Sequence, residues 1–155
     1  MAYANPTIAD ERVPTQEELK RVLLGADPGN RVVMALMAHP EVRPEVLGNY
    51  LGRDGFRIKD FPDLKVKGKT VECEHVPCLV VVRAELSKAG HRYFTFLGKE
   101  GCDYLRAYLQ SRLQRGEKLE PETGTIHPIW ANKTFVRTIN VGNLIRTAFR
   151  SARFK

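Results

Sequence analysis

Two β-branched runs joined by a short turn constrain this chain more than any other feature. Cys78-Leu79-Val80-Val81-Val82-Arg83-Ala84-Glu85-Leu86 is followed by Ser87-Lys88-Ala89-Gly90, then by His91-Arg92-Tyr93-Phe94-Thr95-Phe96-Leu97. Such side chains fit a pleated, half-buried surface, and a glycine-containing break returns the chain antiparallel. The pattern predicts a hairpin over about 78–97, with Lys88 at its tip. Period-two alternation over 56–59, 64–66 and 70–74, with a turn at Gly68, predicts further strands.

Elsewhere the apolar spacing is helical. Pro14-Thr15-Gln16-Glu17-Glu18 reads as a helix start, with Thr15 capping free N–H groups and Glu18 reaching back. Leu19, Val22 and Leu23 follow at helical spacing, and Gly25, Asp27, Pro28 and Gly29 interrupt them. Asn30 is the expected cap of a second helix, apolar on nearly every side from Val32 to Ala38 and hence buried. It ends at His39-Pro40, because a residue before proline disfavours the α region. Arg43-Pro44 opens a third helix with proline at the favoured first position, directing Val46, Leu47 and Tyr50 to the core. A long helix from about 98 to 115 carries Cys102, Leu105, Leu109 and Leu113 on one stripe, and Gly116 fits its stop. A last helix, from about 141, sets Val141, Leu144, Ile145, Ala148 and Phe149 against Asn143, Arg146, Arg150 and Arg153. Residues 1–13 read as a lead-in and 14–155 as one domain. The expected class is α+β, several helices on a small antiparallel sheet.

Charge narrows the partners. The 155-residue chain carries +7, yet no acidic residue follows Glu122. From Thr123 onward Lys133, Arg137, Arg146, Arg150, Arg153 and Lys155 supply +6, leaving +1 for the first 122 residues. A one-sign segment builds a local field for polyanions, and phosphate contacts release counterions. DNA is the expected partner, with Arg137, Arg146, Arg150 and Arg153 as candidate contacts. No apolar run approaches the roughly 20 residues that span a bilayer, and the first residues lack a signal-peptide layout. No membrane partner and a cytoplasmic location are expected.

Three cysteines without a secretion signal read as reduced thiols. Cys73, His75 and Cys78 form C-x-H-x-x-C, but no second ligand pair follows, so the cysteines read as buried strand residues and no metal is expected. There is no G-x-S-x-G elbow and no phosphate-cradling G-x-x-x-x-G-K-[ST] loop, and the carboxylates show no acid/base or two-metal spacing. Two basic residues remain as candidates for chemistry. Arg43, at a helix start, can grip two phosphate oxygens with its planar guanidinium. Lys88, at a hairpin tip, can neutralise a phosphate or protonate a leaving oxygen.

The order of these pieces resembles a known family. Val13 to Leu19, the buried helix, Val42-Arg43-Pro44-Glu45-Val46-Leu47 and Leu86-Ser87-Lys88-Ala89-Gly90 before a strand are similar to the tyrosine recombinase (phage integrase) catalytic domain. Leu47-Gly48-Asn49-Tyr50 and the stretch Tyr93-Phe94-Thr95-Phe96-Leu97-Gly98-Lys99-Glu100-Gly101-Cys102 resemble its archaeal branch. The resemblance runs from residue 12 to 155 and implies the first half of that domain. It implies that Arg43 is the first catalytic arginine and Lys88 the hairpin lysine, acting without metal or cofactor beside other recombinase protomers on DNA. The sequence departs from the family in having Pro40-Glu41-Val42 before the arginine and no His-x-x-Arg box. His39, His75, His91 and His127 are followed three positions on by Val42, Cys78, Phe94 and Trp130. The family's nucleophilic tyrosine would lie beyond Lys155, so an inactive chain is expected. The alternative is a non-catalytic basic module binding DNA or RNA.

Overall fold

The computed structural model describes residues 15–25, 27–38, 42–128 and 134–151. Over these, three helices come first: α1 (Gln16–Gly25), α2 (Pro28–Met37) and the single turn α3 (Pro44–Leu47). Two antiparallel pairs follow, β1 (Leu64–Lys67) with β2 (Thr70–Cys73) and β3 (Cys78–Val82) with β4 (Tyr93–Leu97). The long α4 (Lys99–Gln114) and then α5 (Thr138–Ser151) complete the chain. The class is α+β, with two small antiparallel sheets rather than one.

The capping box at α1 forms as the residue types dictate: Glu18 N–H donates to Thr15 Oγ1 at 3.1 Å, and Thr15 N–H to Glu18 Oε1 at 3.0 Å. The cap of α2 is Asp27, not Asn30. Its side chain accepts the Asn30 N–H at 2.9 Å, and Pro28 takes the first turn, where its missing donor costs nothing. Val32, Val33 and Leu36 are buried, and α2 packs against α1, α4 and α5 as the central helix. One core joins them to Phe56, Val80, Leu105, Leu109 and Val141. Cys102, Leu105, Leu109 and Leu113 form the buried stripe of α4, and Gly116 closes it at φ 93°.

Four further expectations are corrected. Residues 56–59 are not a strand. Asp60 Oδ2 accepts the Arg57 N–H at 2.8 Å, and that bond curls Ile58–Asp60 into a 3-10 turn, leaving Arg57 a lone bridge to Gly124. Tyr50 does not face the core but is 72% exposed. Helix α3 stops at Leu47 because Gly48 is extended, and a Cβ there would sit 1.6 Å from the Val136 carbonyl oxygen. The third concerns the hairpin. Its register pairs Cys78 with Leu97 and Val82 with Tyr93, so β3 ends at Val82 and residues 83–92 form a longer loop. Arg83 leaves the ladder for carboxylates across the core. Finally, α5 starts at Thr138, earlier than expected, because Thr138 Oγ1 donates to the Gly48 carbonyl at 2.7 Å.

Candidate nucleic-acid interface

Arg43 precedes α3 in an extended conformation (φ −97°, ψ 156°), and its side chain makes no capping bond. One guanidinium nitrogen lies 3.3 Å from Glu45 Oε2, with both side chains near half exposed. A solvated pair of this kind contributes at most about 1 kcal/mol, so it leaves Arg43 open to a competing phosphate. Helix-dipole assistance, however, is slight, because α3 is one turn of four residues.

Lys88 stands exposed in the 83–92 loop, within a turn closed by Gly90 N–H to the Ser87 carbonyl at 3.2 Å. Gly90 takes φ 75°, which a side chain would resist. Leu86 anchors the loop in the core, 5% exposed. Arg83 fixes its base: Nη2 donates to the Gly55 carbonyl at 2.7 Å and to Asp54 Oδ1 at 2.9 Å, and Nε to Asp60 Oδ1 at 3.0 Å. Gly55 in turn abuts Leu47, whose carbonyl oxygen would lie 2.2 Å from a Cβ at that position. The helix that Arg43 opens and the loop that holds Lys88 therefore meet at Gly55.

Burial pushes the Asp60 carboxyl above its ordinary range, against the Arg57 N–H bond and the charge of Arg83. Burial also pushes Asp54 up, but hydrogen bonds from Arg83 and the Gly55 N–H hold it below that range. This network is structural, and it was not visible in the spacing of the residues.

The basic tail is only partly described. Arg137 Nε donates to the Tyr50 carbonyl at 3.1 Å, and its guanidinium lies 5.7 Å from the centre of the Tyr50 ring. It is thus tied to the turn after α3, with Tyr50 exposed beneath it. Arg146 is exposed on α5 and donates to Asn143, on the side expected for both. Val141 is buried, with Leu144 and Ile145 partly buried on the opposite side. The Arg150 side chain and all of Arg153 lie outside the described residues.

Neither Tyr104 nor Tyr108 resembles an activated nucleophile. Tyr108 is buried and its hydroxyl accepts the His127 N–H at 2.8 Å, with burial raising its pKa. The Tyr104 hydroxyl donates to Glu100 at 3.0 Å, and burial together with that bond raises its pKa too. A groove of about 830 Å³ borders Tyr108, Glu117 and His127, and neither Arg43 nor Lys88 lines it.

Two features escaped the sequence reading. Phe94 and Phe96 are 51% and 53% exposed on one face of β4, with the Arg92 guanidinium 5.1 Å from the Phe94 ring centre. Strict alternation with buried Thr95 and Leu97 was the available signal. The second is a convergence of Cys73, Cys78 and Cys102, all free, the first half-buried and the others buried. A hydrogen bond from Cys78 draws Cys73 down to about 7 and raises Cys78 in return, while burial raises Cys102. No protein-family model matches the chain, and no curated protein or solved structure does either.

Proposed function

We propose that this chain is the first half of an integrase-type catalytic domain, binding DNA and presenting Arg43 and Lys88 to a phosphodiester. The observation that carries the reading is the junction at Gly55, where the base of the Lys88 loop meets the end of the Arg43 helix. Both cations lie at the surface, and among the described residues Arg43 is paired with one solvated carboxylate, Glu45. In this reading Arg43 neutralises the non-bridging oxygens of the phosphate, which suits a planar fork of donors. Lys88 reaches the leaving-side oxygen or an adjacent base from its loop. The C-terminal cations hold the backbone alongside, positioning the duplex without reading its sequence.

A second reading rests on Phe94 and Phe96. Exposed aromatics on a strand, flanked by Arg92, form a platform on which unpaired bases stack, as single-stranded RNA recognition requires. Comparing ligands separates the two. Affinity for duplex DNA, followed by fluorescence anisotropy, is expected to be weak and to fall linearly with the logarithm of salt. Replacing Arg146, Arg150 and Arg153 with alanine should flatten that slope, whereas Phe94→Ala and Phe96→Ala leave duplex affinity in place. An unchanged slope after the triple substitution contradicts the integrase reading. Single-stranded RNA bound in preference to duplex, and lost on replacing the phenylalanines, favours the second.

A further inference from the structure

The three cysteines come from separate elements: Cys73 from the end of β2, Cys78 from the start of β3 and Cys102 from the first turns of α4. Their sulfurs all lie within 4.8 Å of one another. If thiols served only as small apolar fillers of a core, nothing would direct all three to one point. The fold does so by register. Cys78 pairs with Leu97 at the end of β4, and the chain turns there into α4, where the Cys102 N–H bonds the Gly98 carbonyl at 2.9 Å. That turn carries Cys102 back over Cys78, and Cys73 closes the triangle from the end of the neighbouring sheet. The C-x-H-x-x-C spacing has no second ligand pair in the sequence, but the fold brings one further thiol, Cys102, to its two cysteines.

We propose that Cys73, Cys78 and Cys102 form a three-thiolate site for a thiophilic d10 cation such as zinc or cadmium. Metal–sulfur bonds of about 2.3 Å place coordinated sulfurs about 4 Å apart, so the triangle needs only to contract slightly. A set made purely of sulfur selects soft cations over magnesium or calcium. Binding exchanges three thiol protons for one divalent ion and leaves a net charge of −1 on the site. The Arg106 guanidinium, held by the Val71 carbonyl at 3.1 Å on the strand that ends in Cys73, offsets that charge. Cys78 and Cys102 are buried, so the ion enters past half-buried Cys73, where a solvent molecule completes four-coordination. The ion would clamp β2, β3 and α4 together and adds to stability by binding only the folded chain. His75 is not among the residues whose ligand atoms converge there, and its Nδ1 lies 2.9 Å from Asp63 Oδ1 on the exposed surface.

The test is titration of the full reduced chain with Cd²⁺ under anaerobic conditions. One ion per chain is expected, with a thiolate-to-metal absorption band, a raised Tm and all three cysteines protected from alkylation. Cys73→Ser, at the half-buried vertex, should keep the far-ultraviolet circular dichroism of the fold and weaken binding by at least on the order of 100-fold. Three observations overturn the proposal: no band at one equivalent, Cys73→Ser binding as tightly as the parent, or alkylation of the three thiols unaffected by Cd²⁺. A disulfide forming between two of them on mild oxidation, with Cd²⁺ leaving Tm unmoved, also overturns it and makes the cluster a redox pair.

Discussion

Arg83 holds three partners in the interior: Asp60, which is 2% exposed, Asp54, and the carbonyl of Gly55. Removing it takes the guanidinium counter-charge from buried Asp60, leaving the Arg57 N–H bond and the charge of Lys59 to offset the desolvation only in part. Arg83→Ala should therefore cost about 3 kcal/mol or more in urea unfolding, and should loosen the base of the Lys88 loop. The double variant Arg83→Met with Asp60→Leu should recover part of that loss, because the buried Asp60 charge is gone, while Asp54 keeps Arg57 and the Arg57 N–H loses its acceptor. A near-neutral Arg83→Ala would show that water already solvates the network. Arg83 lies in an apolar, β-branched run and so read as a strand residue. Its role depends on carboxylates more than twenty positions away, and local spacing carries no signal of them. Arg43 and Lys88 are different, since each sits at a boundary marked by proline or glycine, and their exposure was legible from that punctuation.

Among the elements, the single turn α3 depends on the close approach of two backbones. Gly48 admits the Val136 carbonyl, Thr138 Oγ1 donates to the Gly48 carbonyl, and Thr138 N–H bonds the Asn49 carbonyl at 3.2 Å. A methyl group at Gly48 cannot fit without separating α3 from the start of α5. Gly48→Ala should lower stability by about 3 kcal/mol or more, measured by urea unfolding, and a loss under 1 kcal/mol would mean that α5 shifts freely. Helices were legible wherever caps and apolar stripes agreed, as at Thr15–Glu18 and along α4. The strand pattern over 56–59 misled because Asp60 offers the Arg57 N–H a local partner, a competition that period-two alternation does not register. The Cys cluster was invisible for a related reason: it exists only once the 78↔97 register is known.

Over the whole molecule, charge is separated along the chain, and the candidate phosphate-handling residues are distributed over α3, the 83–92 loop and α5. Stable cleavage of a phosphodiester through a protein adduct needs an activated nucleophile, and such groups act as a unit. Tyr104 and Tyr108 are engaged with Glu100 and the His127 N–H, Tyr50 lies under Arg137, and no His-x-x-Arg box accompanies them. Incubation with a nicked suicide-substrate DNA should give no covalent product on a denaturing gel. An adduct mapped to any of the five tyrosines would contradict the assignment of roles.

The central claim is that Arg43, Lys88 and the cations of α5 meet one DNA backbone. Titrating the isotope-labelled chain with a short duplex, and following amide and side-chain resonances by NMR, reads this directly. The account predicts that signals of residues 43–45, 87–90 and 137–147 shift together, in one concentration-dependent step, and return as salt is added. Shifts that spare Arg43 and Lys88, or that map instead to Phe94 and Phe96, would contradict it.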